Sequence, residues 1–356
     1  MFVDNVIMGF LLALAVFLMA CIGTAGVRAY AMNRSILDIP NERSSHTIAV
    51  PRGGGIAIVV SYLLGIVFLL LAGLLPENAA WAMLGAGSGA ALIGFLDDHG
   101  HVAARWRLLA HFLCAIWALA WLGPWPSLQI AGYDLTPGWL AYIGAAFFLV
   151  WMLNLYNFMD GIDGIASVQA ISVGSGGALL YYLAGDDGHA LACFLLAAAA
   201  TGFLIWNFPP ARIFMGDAGS GFLGLIIGII TIEAVWIDVK LALGFLILSA
   251  VFVVDASVTL FRRLCRRERV YQAHRTHAYQ HAARRCAGHL PVTLGVLMIN
   301  VFWLLPWAWA TGMGMLSGWS ALTAAYLPLV ALAIKLGAGK QETADGASPP
   351  GTNLDH

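Results

Sequence analysis

Apolar runs of about 20 residues, the length a helix needs to cross a bilayer, recur along this chain from one end to the other. They fall at roughly 6–28, 53–75, 79–96, 106–123, 137–153, 164–184, 189–206, 219–236, 240–261, 291–311 and 314–334. A soluble domain carries about 25% charged residues; this chain of 356 residues carries 10%, with 60% hydrophobic. So much apolar surface cannot be hidden in a water-soluble core. The expected fold is therefore an all-α polytopic membrane protein of about eleven transmembrane helices. Turn chemistry marks several ends, at Pro76, Gly123 to Pro126, Gly185 to Gly188, Pro209 with Pro210, and Pro291. The first run has no basic residue before it and no small-residue cleavage pattern, so it reads as a retained helix rather than a signal peptide.

Lysine and arginine test the orientation, because positive charge biases a loop to the cytoplasm. With the odd-numbered connections and the C-terminal tail inside, 17 of the 18 basic residues are cytoplasmic, and only Lys240 lies outside. An error of one helix would scatter them over both faces. The expected topology has the N-terminus outside and the C-terminus in the cytoplasm, with one integral-membrane domain over residues 1–336 and a polar, disordered tail over 337–356. The five cysteines are scattered, show no metal-ligand spacing, and read as free thiols.

Five carboxylates, Asp97, Asp98, Asp160, Asp163 and Asp217, sit at the inner ends of these runs. Ionisable groups are costly in a bilayer, so acids gathered at one membrane surface suggest a site that handles a cation and phosphate. The segment NLYNFMDGIDG spaces Asn154, Asn157, Asp160 and Asp163 by threes. Nine residues of regular helix turn by about 900°, so these four converge only if the helix ends here, which Gly161 and Gly164 permit. The plainer reading is a cytoplasmic turn rich in turn formers. Asp97 and Asp98 end the third run; adjacent loop acids are often merely solvated, but beside phosphate chemistry one can act as a base while the other fixes a basic neighbour. Asp217 lies between glycines just before the eighth run. Magnesium takes one or two protein carboxylates and leaves its other positions to water and phosphates, so Asp217 suits a primary ligand, with helix capping as the alternative. Gly216, Gly219 and Gly221 are expected to let backbone approach a ligand, with the helix-start N–H groups cradling phosphate.

Two basic segments accompany the acids. DIPNERSSHTIAVPRGGG supplies Arg43, His46 and Arg52, an anion-site signal that is weak by itself. YQAHRTHAYQHAARR carries His274, Arg275, His277, His281, Arg284 and Arg285. His274, His277 and His281 would share a helical face, which invites zinc, but no cysteine or glutamate completes a shell and the arginines suit an anion better. The arginines from Arg262 to Arg269 suit an anionic lipid surface. Asp255, about two turns inside the ninth run, must be paired or protonated, for inter-helix structure or for catalysis. His111 and Glu233 read as structural or interfacial.

Together and in this order, DIPNxR, PRGGG, LDD, NxxNxxDGxDG and FMGDxGS resemble the polyprenyl-phosphate N-acetylhexosamine-1-phosphate transferase family over the span from Asp38 to about His281. The resemblance implies transfer of a sugar 1-phosphate from a UDP-amino sugar to undecaprenyl phosphate in the bacterial inner membrane, with release of UMP and a need for magnesium or manganese. It implies Asp97 as the base toward the lipid phosphate, with Asp98, Asp160 and Asp163 as its catalytic partners. It further implies Asp217 and Asn157 at the metal, and Arg43, His46, Arg52, Asn154, His274, Arg275 and His277 on the substrates. The family's late motif has consecutive histidines, whereas this chain reads His274, Arg275, Thr276, His277. That departure resembles the branch starting O-antigen or related surface polysaccharides more than the peptidoglycan branch. The expected partners are the two substrates and the bilayer, with no nucleic acid, and with a homodimer as the assembly if one forms.

Two other readings compete. CDP-alcohol phosphotransferases also use an acidic DG motif, but Ser167 and Val168 stand where that pattern needs Ala-Arg. A transporter would place its ionisable groups near mid-membrane, and only Asp255 is clearly there.

Overall fold

The computed structural model describes residues 2–34, 37–38, 49–100, 102–126, 128–130, 133–135, 138–268 and 274–340. Its helices are α1 (Phe2–Asn33), α2 (Gly55–Leu71), α3 (Glu77–His99), α4 (Ala104–Leu122), α5 (Trp139–Met159), α6 (Ile165–Leu183), α7 (Asp187–Asn207), α8 (Asp217–Ile237), α9 (Val239–Leu248), α10 (Ala250–Cys265), α11 (Ala278–Arg285), α12 (Leu290–Ile299), α13 (Leu305–Gly312) and α14 (Gly318–Leu336). Two antiparallel hairpins complete the described chain, β1 (Leu37–Asp38) with β2 (Val50–Pro51), and β3 (Leu128–Ile130) with β4 (Tyr133–Leu135).

Each of the eleven expected spans falls on helix, but not all meet the demands of a crossing. Seven described helices are long and apolar enough to cross a membrane, counting Leu290–Gly312 (α12 to α13) as one, and α9 with α10 make an eighth if taken as one bent span. The other three fall short for visible reasons. Helix α2 has 17 residues; α4 carries Arg105, Arg107 and His111; α6 is diluted by Ser167, Gln169, Ser172, Ser175 and three glycines.

The ninth expected span is not a straight helix. It bends by 71° between α9 and α10 at Ser249. A break inside an apolar bundle frees carbonyls that water cannot reach, so neighbours must satisfy them. Gln169 of α6 donates to the Leu248 carbonyl (2.9 Å), and Asn300 donates to Gln169 (2.8 Å). Asn300 opens a π-helical turn, Asn300–Leu304, which joins α12 to α13. Pro306, lacking an N–H, stands in the first turn of α13, and the wider turn before it accommodates the missing donor.

Helix α8 is the hub. Every residue from Ala218 to Ala234 is buried, as expected of a helix that is apolar all round. It packs on α3, α5, α2, α6 and α9. Its N-terminal residue, Asp217, is thereby placed where the ends of α2, α3 and α5 meet. The polar tail does not begin at residue 337. Ala338 is buried, the Gly339 amide donates to Thr276 (2.6 Å), and Arg262 donates to the Ala338 carbonyl (2.9 Å). Residues 341–356 lie outside the described chain.

Candidate active site

The site is assembled by backbone pairing between two loops. The amides of Gly53 and Gly54 donate to the Phe214 carbonyl (3.1 and 2.9 Å), Gly55 donates to Met215 (2.9 Å), and Phe214 donates back to Pro51 (2.8 Å). The glycine triplet is thus spent on this docking, which carries Arg52 to the start of α8. One Arg52 nitrogen, Nη2, lies 2.7 Å from Asp217 Oδ1 and 2.9 Å from Asp98 Oδ1. From the other side, Arg107 of α4 pairs with Asp97 and approaches Asp217 Oδ2 (3.7 Å). Three carboxylates and two guanidiniums therefore share one network. Arg105, two residues away, is turned by about 200° and stacks on Trp106 instead.

Asp98 does structural work here. It accepts the amides of Asp217 (3.0 Å) and Ala218 (3.2 Å), while those of Gly219 and Ser220 go to the Gly216 carbonyl (3.2 and 3.1 Å). All four helix-start donors are taken, so the expected phosphate cradle at α8 is closed and Asp98 is its cap. Asp217 is the first helical residue, and its side chain caps nothing. Gly219 faces Gly55, not open space: a Cβ on Gly55 would stand 2.5 Å from the Gly219 Cα. Close helix contact, rather than ligand approach, requires glycine there. Gly216 has φ +80°, and a Cβ on it would stand 2.6 Å from Asp98 Oδ2.

Helix α5 ends at Met159, and Gly164 takes the left-handed conformation (φ +76°) before α6. The four spaced polar residues then part company. Asn154 stays on the helix, donating to Val150 (2.7 Å) and facing His111 (3.4 Å). Asn157 donates to Ser220 of α8 (3.4 Å), one turn below Asp217, and its side-chain oxygen has no hydrogen-bond partner among the described residues. Asp160 sits within electrostatic reach of Asp217, Arg52, Asp98 and Asp163, yet its carboxylate has no hydrogen bond or ion pair among the described residues. Burial pushes its carboxyl well above the usual range, Asp217 adds to this, Arg52 opposes it, and Asp98 and Asp163 add further. Asp163 is held apart: it pairs with His289 (3.1 Å) and accepts the Ala211 amide (3.0 Å).

The histidine segment is not one helical face. His274 and His277 precede α11, which starts at Ala278. His277 is buried against Asp255 (Nδ1 to Oδ1, 3.2 Å), so it cannot turn as a free substrate ligand. The His274 and His277 rings stack with centroids 4.9 Å apart. The Thr276 amide and hydroxyl face His274 Nδ1 (3.4 and 2.9 Å), and an amide can only donate, which leaves the proton on Nε2. Burial, then His277 and Arg263, lower the His274 pKa to about 3, so at neutral pH it meets an anion as a neutral donor, not as a cation. Arg284 donates to the Arg275 carbonyl (3.1 Å). Arg43 and His46 lie outside the described residues.

The donor set suits magnesium. Among the described residues no three His, Cys, Asp or Glu side chains are arranged around one point. Magnesium does not need three, since it keeps water and substrate oxygens as ligands. Asp97, Asp98, Asp160 and Asp217 outnumber Arg52 and Arg107, and the unpartnered Asp160 carboxylate is what a cation would compensate. Sequence reasoning missed Arg107 and Ser220. Arg107 had a usable signal, a charge in the first turn of an apolar helix on the same face as the acids.

The glycosyl transferase family 4 profile matches residues 80–235, from α3 through α8, and so includes all five acids. A probable undecaprenyl-phosphate N-acetylglucosaminyl 1-phosphate transferase from Bacillus subtilis (strain 168) is 28% identical over 279 residues, 77% of this chain and 76% of the relative. A phospho-N-acetylmuramoyl-pentapeptide-transferase from Rhodopseudomonas palustris (strain BisB18) is 34% identical over 240 residues, 57% of this chain and 65% of the relative.

Proposed function

The chain belongs to the polyprenyl-phosphate hexosamine-1-phosphate transferase family, and from that premise we propose that it transfers an N-acetylhexosamine 1-phosphate from a UDP-sugar to undecaprenyl phosphate. The reaction would run at the cytoplasmic face of a bacterial inner membrane, with the N-terminus outside, and would start an O-antigen or related surface polysaccharide. The observation that carries the reading is the Arg52–Asp98–Asp217 and Arg107–Asp97 network beside Asp160.

In the proposed step an oxygen of the lipid phosphate attacks the sugar-bearing β-phosphorus. The bond from that phosphorus to the bridging oxygen breaks, and UMP leaves with the bridging oxygen. Asp217 and Asn157 would hold magnesium, with manganese as its substitute, and the cation when bound supplies charge compensation for the pyrophosphate oxygens. Arg52 and Arg107, which here neutralise carboxylates, exchange those partners for phosphate oxygens, since a guanidinium forks onto either. That exchange frees Asp97 to take the proton of the lipid phosphate. His274 contributes a neutral Nε2–H toward the nucleotide sugar. Against the transporter reading stands the placement of these acids at helix ends, together with the matched family.

The test is release of UMP by purified protein given undecaprenyl phosphate, magnesium and each of a panel of UDP-N-acetylhexosamines. Turnover with one of them is expected. Absence of turnover with all of them, by protein that is folded and lipid-reconstituted, would refute the reading.

A further inference from the structure

One buried acid has no part in the mechanism above. Asp255 of α10 is 5% exposed, and four groups converge on it. Its Oδ1 accepts the Ala278 amide (2.9 Å) and the Thr259 hydroxyl (3.1 Å) and faces His277 Nδ1 (3.2 Å), while its Oδ2 accepts the Tyr279 amide (2.9 Å). The carboxylate thus takes the first two donors of α11 from a neighbouring helix, and His277 supplies the counter-charge or proton that a buried acid requires.

From α11 the contacts run on to the reacting end of α5. The Tyr279 hydroxyl donates to the Phe158 carbonyl (3.0 Å), and the Gly161 amide hydrogen-bonds to the same hydroxyl. Gly161 presses on that hydroxyl so closely that a Cβ there would collide with it. Phe158 and Gly161 bracket Asp160, the acid whose carboxylate has no hydrogen-bond or ion-pair partner of its own among the described residues. Its place is therefore set by the backbone on either side of it, and Tyr279 grips both sides.

We propose that Asp255 is a positioning residue, which fixes the start of α11 and, through Tyr279, sets the α5-terminal turn that presents Asp160. His277 belongs to this device as the partner of Asp255. The activity arm of the test rests on the transferase reading; the exchange arm does not.

The experiment compares full-length wild type, Asp255→Asn and Tyr279→Phe in lipid nanodiscs, by hydrogen exchange and by steady-state kinetics with UDP-N-acetylglucosamine. Asp255→Asn should raise exchange in residues 274–285 and also in residues 156–163. Tyr279→Phe removes one hydroxyl and should raise exchange in 156–163 alone. Both should lower kcat, on the order of 10²-fold for a misplaced group, with KM for the sugar nucleotide changed by less than about threefold. Faster exchange confined to 274–285 in Asp255→Asn, with 156–163 unchanged in both variants, would overturn the proposal and leave Asp255 as a local helix anchor. A fall in affinity with kcat unchanged would also overturn it. If wild type turns over no sugar nucleotide, the transferase reading fails, while the exchange pattern still decides the positioning role; if Asp255→Asn does not fold, Tyr279→Phe decides it.

Discussion

Arg52 Nη2 lies between two carboxylates, 2.7 Å from Asp217 and 2.9 Å from Asp98, and the two acids have different duties. Asp217 caps nothing, so its loss should affect chemistry more than folding. Asp217→Asn is expected to reduce turnover by about 10² or more and to raise the magnesium concentration needed, with an unchanged melting temperature. Asp98 holds two helix-start amides and should behave in the opposite way. Asp98→Ala leaves those donors unsatisfied, at a cost of about 1–3 kcal/mol, read as a lower melting temperature alongside lost activity. Asp97→Asn should lower turnover by ~10² to 10⁴ if Asp97 is the base; near-normal turnover at neutral pH would remove it from that role. His274 carries a pH dependence of its own. Its pKa is about 3 in the fold against 6.5 when free, so on acidification the unfolded segment gains its proton first. The contribution is fully present above 6.5 and is lost as pH falls from there toward 3. Protection of residues 274–285 from hydrogen exchange, compared at about pH 7.5 and about pH 5.5, should drop at the lower pH, and His274→Gln should remove the difference.

At the level of elements, the site depends on how closely three helix ends approach. Helices α2 and α8 touch through Gly55 and Gly219, and α3 meets α8 at Gly94, where a Cβ would stand 2.5 Å from the Ala218 nitrogen. A side chain at any of these must push backbone, and at Gly55 and Gly219 the Met215 side chain as well. Gly94→Val is therefore expected to destabilise by about 1–3 kcal/mol and to move Asp98 off the α8 amides, so that melting temperature and turnover fall together. Gly216→Ala adds strain of another kind, since its φ of +80° disfavours any side chain. A conservative change at an exposed lipid-facing position of α1, such as Leu11→Ile, should leave both measurements unchanged.

At the scale of the whole molecule, contacts join the near ends of α1 and the loop before α8, of α3 and α4, and of α5 and α11: Arg28 donates to the Arg212 carbonyl (3.2 Å), Arg107 reaches Asp97, and Tyr279 reaches Phe158 (3.0 Å). Single cysteines at Gly185 and at Arg267 should then label from opposite sides of sealed vesicles, with Arg267 on the cytoplasmic side; labelling of both from one side would refute the topology. Much of this was legible in the chain, because hydropathy is a local property. Each apolar run fell on helix, and the five acids stood where runs end. The α5 terminus could be read from the DG pair because Gly164, at φ +76°, takes a conformation that favours glycine. Other features were not local. That the α8 amides are filled by Asp98, that Arg107 rather than Arg105 enters the network, and that Asp255 owns His277 depend on partners 10 to 120 residues away in sequence. The bend at Ser249 needed Gln169, 79 residues upstream of the Leu248 carbonyl it meets. Sequence by itself determined which segments are helical and which end of them is charged, since burial in lipid and turn chemistry act residue by residue. Only tertiary structure decided which charge meets which, because helices at fixed distance and rotation choose the partners of every side chain they carry.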